Sequence, residues 1–412
     1  MKLLKLTQLL TAIVGITKAD WQFRSRPDLA PPKLNITNPA SHDVEKGFLI
    51  MAPFAGLLDI THSMHGPRVD ADRTSSATTA TSSGPVTDIT PSGDHNSAYG
   101  HGHGHTTTMD QQYETIRELR AGNHKLTDKH KFHVIDEKTA LIQIYQPVPR
   151  DLSAYSAKRE QQWIIDAVFQ ELDIESGKLL FEWSSLAHVS PNESVLPVTE
   201  GQAGSGYNSS DAWDYFHINS VDKDGEGISP RVTHALCIKS TAPTARYYGV
   251  SAAKGAESCF QHHARFKSRD GEEEVISLYD NSAHSSESGS GKEIHTAPTS
   301  CGKIVHLNTR TWKATLVQAF YPPDDLLSKS QGSMQLLPNG NAVVNWGSEG
   351  ALTEFRADGT PIFHAYMDSG FLGEGVQDYR AFRYNWTGLP NEEPAIVCLG
   401  DKNGSTVYMS GN

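Results

Sequence analysis

Three histidines in this chain stand at the head of short strand-forming runs. His217 lies in Trp213-Asp214-Tyr215-Phe216-His217-Ile218-Asn219-Ser220-Val221-Asp222, His262 in Phe260-Gln261-His262-His263-Ala264-Arg265-Phe266, and His130 in His130-Lys131-Phe132-His133-Val134. Imidazole changes charge nearer neutrality than any other side chain, so it can attack, accept a proton or donate one at working pH. A plain buried strand is not written with charge and aromatics at both ends. Each run is followed by an acidic or Gly-bearing turn and then another strand. In repeats set round one axis, equivalent histidines converge, and convergence from distant segments is how an active site is made. The bland use of such a histidine is to hydrogen-bond a neighbouring backbone. Asn219, Asp222, Asp280 and Asn281 read as turn and blade-closing residues rather than catalysts.

The elements that must position these residues are strands. Helical periodicity is almost absent, and Gly, Pro, Asn and Asp punctuate short apolar runs. Leu141 to Tyr145 is a strand that stops at Pro147. Val168–Asp173 and Leu179–Trp183 form a hairpin round Glu175-Ser176-Gly177. Ile304–Leu307 and Trp312–Phe320 form another round Asn308-Thr309. Met334–Leu337 and Ala342–Trp346 pair across Pro338-Asn339-Gly340, where Asn-Gly is a strong hairpin signal. Thr353–Phe355 and Ile362–Tyr366 flank Asp358-Gly359. This rhythm predicts an all-β chain, a six-bladed β-propeller with one or two degenerate blades, because four-stranded blades round an axis leave few exposed edges. A β-sandwich is the runner-up. Residues 66–98, rich in Ser, Thr, Gly, Asp and Pro, read as a loop or insert. Residues 227–258 lack apolar strands where a blade should have them.

With 412 residues, 48 acidic against 36 basic side chains and a net charge of −12, no Lys/Arg cluster stands out in the sequence. Nucleic acid and anionic membrane are therefore poor partners. The start, with Lys2, Lys5, an apolar stretch from Leu6 to Ile16 and small residues before Asp20, predicts a signal peptide over residues 1–19 and a single domain over 20–412. No run approaches the ~20 apolar residues of a membrane span. Asn35, Asn192, Asn208, Asn385 and Asn403 each open an N-x-S/T sequon, which fits a secreted glycoprotein. Cys237, Cys259, Cys301 and Cys398 allow three disulfide connectivities, or free buried thiols, and lack the CxxC spacing of a zinc knuckle. Gly100 to His105 alternates Gly with His. No carboxylate or cysteine nearby completes a ligand set, so a glycine-rich turn feeding a strand is the reading, and no metal or cofactor is expected.

Several segments carry a family resemblance. They include Phe23-Arg24-Ser25-Arg26-Pro27-Asp28-Leu29-Ala30-Pro31-Pro32, Thr139 to Pro149, Phe169-Gln170-Glu171-Leu172-Asp173, Asp214 to Asp222, Phe260 to Phe266 and Ile276 to Asn281. Later ones are Ser330-Gln331-Gly332, Leu337 to Asn341, Trp346-Gly347-Ser348-Glu349 and Tyr379-Arg380-Ala381-Phe382-Arg383. With these the chain, from about Trp21 to Gly388, resembles the fungal branch of the arylsulfotransferase family, secreted six-bladed propellers related to bacterial aryl-sulfate sulfotransferases. The resemblance implies sulfuryl transfer from a phenolic sulfate ester to an enzyme histidine and then to a second phenol. It puts the nucleophile on His262, a second histidine on His217, an arginine on Arg231 and a third histidine on His130. Val232 follows Arg231 where the family usually has His. His263 stands where it has Asp, and Lys131 where it has Glu.

A neutral imidazole can attack sulfur and split one displacement into two. Arginine suits the equatorial oxygens, and a second histidine suits proton transfer to or from the phenol. Two other readings stand beside the enzyme. One is a secreted ligand-binding or interaction module that keeps the channel mouth. The other is an enzyme acting on a different aromatic or terpenoid metabolite, since fold does not set chemistry.

Overall fold

The computed structural model describes residues 34–51, 53–55, 86–91, 104–128, 130–201, 203–223, 230–234, 251–252, 256–284, 293–367, 376–385, 389, 391, 393, 395–402 and 404–410. The described chain is nearly all strand. Its one α-helix is the single turn Ser185–His188, and the other helical pieces are three-residue 3-10 turns.

Three sheets are antiparallel meanders. The first runs Phe132–Ile135, Thr139–Pro149, Trp163–Asp173, Leu179–Ser184. The second runs His262–Asp270, Glu273–Asp280, Cys301–Asn308, Lys313–Phe320, with the short Ser251–Ala252 added in parallel to its last strand. The third runs Ser333–Leu336, Ala342–Asn345, Ala351–Phe355, Pro361–Tyr366, and the N-terminal strand Asn35–Asn38 closes its outer edge. Smaller sheets join Val86–Pro91, Gly104–Met109 and Thr115–Leu119, and Ile218–Lys223 with Pro230–His234. Phe48–Ile50 pairs with Phe382–Tyr384, and Pro53–Ala55 with Val376–Asp378.

All four expected hairpins form, each turned by the expected residue types. Gly177, Gly340 and Gly359 take φ of +67, +89 and +87 at their turns, a region glycine enters without a Cβ clash. Second strands of the meanders are buried on both faces: Ala140 to Tyr145 is an unbroken buried run, because neighbouring sheets cover each face. The apolar core is accordingly divided into separate clusters between sheets rather than gathered in one mass.

Residues 66–98, expected as a loop or insert, and 227–258, expected to lack blade strands, are only partly described, and each holds a paired strand. Within 66–98, Val86–Pro91 is a strand paired with Gly104–Met109. Within 227–258, Arg231 sits inside the strand Pro230–His234, opposite Asp222. The glycine-histidine tract enters the described residues only at its end. There Gly104 begins a strand, and His105 Nε2 lies 3.2 Å from Glu118. Cys301 and Cys398 are free thiols. Among the described residues no helix is long and apolar enough to cross a membrane, and no cluster of metal-ligating side chains appears. Residues 1–19, expected to form a signal peptide, and Asn403 and Cys237 lie outside the described residues.

The innermost strands of adjacent sheets are joined by side chains. Ser220 Oγ accepts from Ala264 N at 2.9 Å, and Asp222 Oδ2 accepts from Phe266 N at 2.9 Å. His263 Nδ1 donates to Met334 O at 2.9 Å, and Ser333 Oγ accepts from Ala381 N at 3.3 Å. Gln335 accepts from Arg383 N at 2.7 Å and donates to Arg383 O at 2.9 Å. Edge groups that a neighbouring strand would otherwise satisfy are thus met by polar side chains.

Trp346 anchors the third meander. It is fully buried, its Nε1 donates to Thr353 Oγ1 at 2.8 Å, and its ring packs on Tyr279 and Phe355. Trp346→Ala is expected to lower unfolding stability by about 3–5 kcal/mol, the usual cost of an emptied aromatic site. Denaturant unfolding measures it. A loss under about 1 kcal/mol would show that this cluster does not hold the sheet.

Candidate functional site

The three histidines meet at one end of the inner strands. His130 and His217 are edge to face with centroids 5.3 Å apart. Tyr145 stacks on His217 at 5.1 Å and meets His130 edge-on at 5.6 Å. Tyr379 lies 5.8 Å from His130 and 6.3 Å from His262, so it links the third histidine to the other two.

Each imidazole is oriented through Nδ1. His130 Nδ1 lies 2.5 Å from Asp128 Oδ1, and His217 Nδ1 lies 2.5 Å from Asp214 Oδ2. A carboxylate only accepts, so Nδ1 carries the proton and Nε2 is turned to the site. The aromatic run round His217 serves as its mount: Trp213 Nε1 donates to Leu196 O at 2.8 Å, Tyr215 OH to Val189 O at 3.2 Å, and Phe216 is buried.

His262 is held differently. Its Nδ1 lies 2.7 Å from Asn281 Oδ1. The Asn281 amide nitrogen donates to Ser328 O at 3.2 Å and Gln331 O at 2.9 Å, which leaves only its oxygen to face the ring. His262 Nδ1 is therefore the protonated nitrogen and Nε2 holds the lone pair, which accepts from Gln331 N at 3.2 Å. Burial pushes the imidazole pKa down to about 3, the Asn281 bond works against that, and His217, Arg380 and His130 push it further down. The ring is thus neutral at neutral pH. Phe260, His263, Ser282 and Gln331, all non-glycine, have φ between +48 and +65 round this histidine, and the ladder shifts register between His262 and Arg265. Backbone strain and bulges of this kind gather at functional sites and re-aim side chains.

The arginine at the histidines is Arg380. Its Nη2 donates to His130 O at 3.4 Å and Asn219 O at 3.1 Å, and its guanidinium carbon sits 5.0 Å over the Tyr379 ring. Nε and Nη1 are buried without a hydrogen-bond partner. Burial lowers its pKa to about 10, so it stays a cation. Arg231 is placed by its backbone alone: it opposes Asp222, at the far end of the ladder from the Ile218–His234 pair. His217, with 29% side-chain exposure, is the most open of the three imidazoles.

The sequence brought out the three histidines. It missed Asp128, Asp214, Asn281, Arg380, Tyr145 and Tyr379 as members of the site. Asn281, read as a turn residue, orients the buried imidazole. The Asp128-x-His130 and Asp214-x-x-His217 spacings were the available signals, since each places a carboxylate beside a ring by local geometry.

A model of the family described as Arylsulfotransferase (ASST) matches residues 88–368, more than half of the chain, and the chain belongs to that family. No curated protein matches it by sequence. Similar solved structures include a Bacteroides caccae protein of unknown function, at 10% identity over 73% of this chain and 83% of that one with a TM-score of 0.36. The Pseudomonas aeruginosa periplasmic gluconolactonase PpgL is 11% identical over 73% and 86%, TM-score 0.35. The Dos1 propeller is 10% identical over 66% and 55%, TM-score 0.26. These scores are too low to show a shared fold.

The depressed pKa of His262 has a stability consequence. An unfolded histidine titrates near 6.5, so as pH falls from 6.5 towards 3 the unfolded state binds a proton that the folded ring refuses, and stability is lost through that window. His262→Asn is expected to remove up to about 1.4 kcal/mol per pH unit of that slope between pH 4 and 6. Denaturant midpoints at those pH values test it, and an unchanged slope would mean the ring is not held neutral.

Proposed function

We propose that this member of the arylsulfotransferase family transfers a sulfo group from a phenolic sulfate ester to a phenol, through a sulfohistidine at His262. The observation that carries the proposal is the His262 tautomer: a buried neutral imidazole with the lone pair on Nε2, beside two carboxylate-oriented histidines and a guanidinium with unused donors.

In the first half-reaction His262 Nε2 gives up its bond from Gln331 N and attacks sulfur; an N–S bond forms and the S–O bond to the aryl group breaks. The departing phenolate takes a proton from protonated His217 or His130, whose Asp214 and Asp128 stabilise the imidazolium. In the second, that neutral imidazole takes the proton of the incoming phenol, the phenol oxygen attacks sulfur and the N–S bond breaks, which restores both histidines. We assign charge stabilisation on the sulfuryl oxygens to Arg380 Nε and Nη1. Arg231 is the second candidate, on the resemblance. Tyr145 and Tyr379 supply the aromatic walls a phenol needs.

We further propose the six-bladed propeller as the complete architecture, a fungal origin, kinship with bacterial aryl-sulfate sulfotransferases, and secretion after cleavage near Asp20. The sequon asparagines Asn35, Asn192, Asn208 and Asn385 are exposed and so open to glycosylation.

With p-nitrophenyl sulfate and a phenol acceptor, the wild type is expected to release nitrophenolate. His262→Ala should abolish release. Arg380→Ala should lower it on the order of 10²–10³-fold, as for one lost oxyanion donor. A large loss in Arg231→Ala with little in Arg380→Ala would return the arginine role to Arg231. Full turnover by His262→Ala would remove the covalent mechanism, and no turnover by the wild type with any phenol pair would leave the ligand-binding reading. Intact mass of protein secreted by a eukaryotic host should start near Asp20 and fall after glycosidase treatment. An unmodified chain retaining residues 1–19 would contradict secretion.

A further inference from the structure

Cations that are scattered in the sequence meet further along the same inner strands, past the histidines. Lys131 follows His130, and Arg265 and the exposed Lys267 lie three and five residues beyond His262, about 10 and 17 Å along the strand. Lys131 is 0% exposed, and its ammonium has no hydrogen-bond partner. Arg265 is half-buried and reaches only backbone carbonyls, Val221 O and Ala264 O, each at 3.4 Å.

One carboxylate stands among them, Asp222, and its oxygens are taken. Oδ1 lies 3.1 Å from His133 Nε2 and accepts from Lys223 N at 3.0 Å, and Oδ2 accepts from Phe266 N. Arg380 closes the upper side, bonded to the carbonyls of His130 and Asn219. The charges act on one another: burial first, then Arg265, Arg380, Lys131 and Lys267, lower the His263 pKa, and burial, then Arg265 and Arg380, hold the Lys131 pKa well below the ordinary lysine range while Asp222 works against them. A buried lysine with no acceptor is driven towards its neutral amine unless an anion is bound beside it, and the one carboxylate among these groups, Asp222, is already engaged.

We propose that this inner cluster is a binding site for a compact inorganic anion, sulfate or chloride, held by Lys131 and Arg265 beneath the histidine site. The anion supplies the acceptor that the Lys131 ammonium lacks and neutralises charge that would otherwise push the inner strands apart. The site is distinct from the sulfuryl site, because neither Lys131 nor Arg265 is needed for the transfer chemistry above.

The test is thermal unfolding of the full-length protein in sodium gluconate at constant ionic strength, titrated with sodium sulfate or, separately, sodium chloride. A ligand that binds only the folded state raises the midpoint saturably. The wild type is expected to show such a rise in at least one titration, and which salt gives it tells an oxyanion from a halide. Lys131→Met and Arg265→Gln should each weaken the apparent affinity at least tenfold, as expected for one lost charge-assisted bond. His262→Ala should keep the response, which separates this site from the catalytic one. If Lys131→Met does not fold, Arg265→Gln and calorimetric titration of the wild type with the same salts decide. A response that is absent, linear in salt, or equal in both variants and the wild type would overturn the proposal. So would a Lys131→Met protein more stable than a wild type indifferent to anions, because the lysine would then be a buried neutral amine.

Discussion

The structure depends on how the edges of its innermost strands are satisfied. A strand edge presents unpaired N–H and C=O groups, and here edge strands of separate sheets meet. The gap is closed by side chains: Ser220, Asp222, Ser333, Gln335 and His263 each bond to the backbone of a neighbouring inner strand. Polar residues therefore belong in the middle of this protein, where most folds would place aliphatic ones.

That constraint makes room for chemistry. A centre already lined with donors and acceptors can hold imidazoles in fixed tautomers at modest extra cost. Asn281 is the clearest case. Its amide nitrogen ties Ser328 and Gln331, and the same bonds aim its oxygen at His262. One residue thus serves the seam between segments and the orientation of the ring. The same interior leaves Lys131 and part of Arg380 without acceptors. Unpaired buried donors destabilise the free protein.

Two parts of the site differ in how they withstand change. His130 and His217 depend on a carboxylate two or three residues away in sequence, so their orientation is local. His262 depends on Asn281 and Gln331, which are distant in sequence, and on positive φ at the adjacent Phe260 and His263. The first pair is a property of short segments, and the third is a property of the assembled fold.

Much of the architecture was legible in the sequence. Apolar alternation and the turns at Gly177, Gly340 and Gly359 specified the strands and hairpins, because turn chemistry and side-chain period are local. The strand-heading pattern picked out His130, His217 and His262. Tertiary structure decided the rest. Arg380 reaches the histidines from a strand far along the chain, where nothing local distinguishes it from any other arginine. The basic residues Lys131, Arg265 and Lys267 look dispersed in one dimension and form a cluster in three. Sequence determines what lies next to what along a strand, but the pairing of inner-strand edges determines which charges share a space, and that pairing is a long-range property.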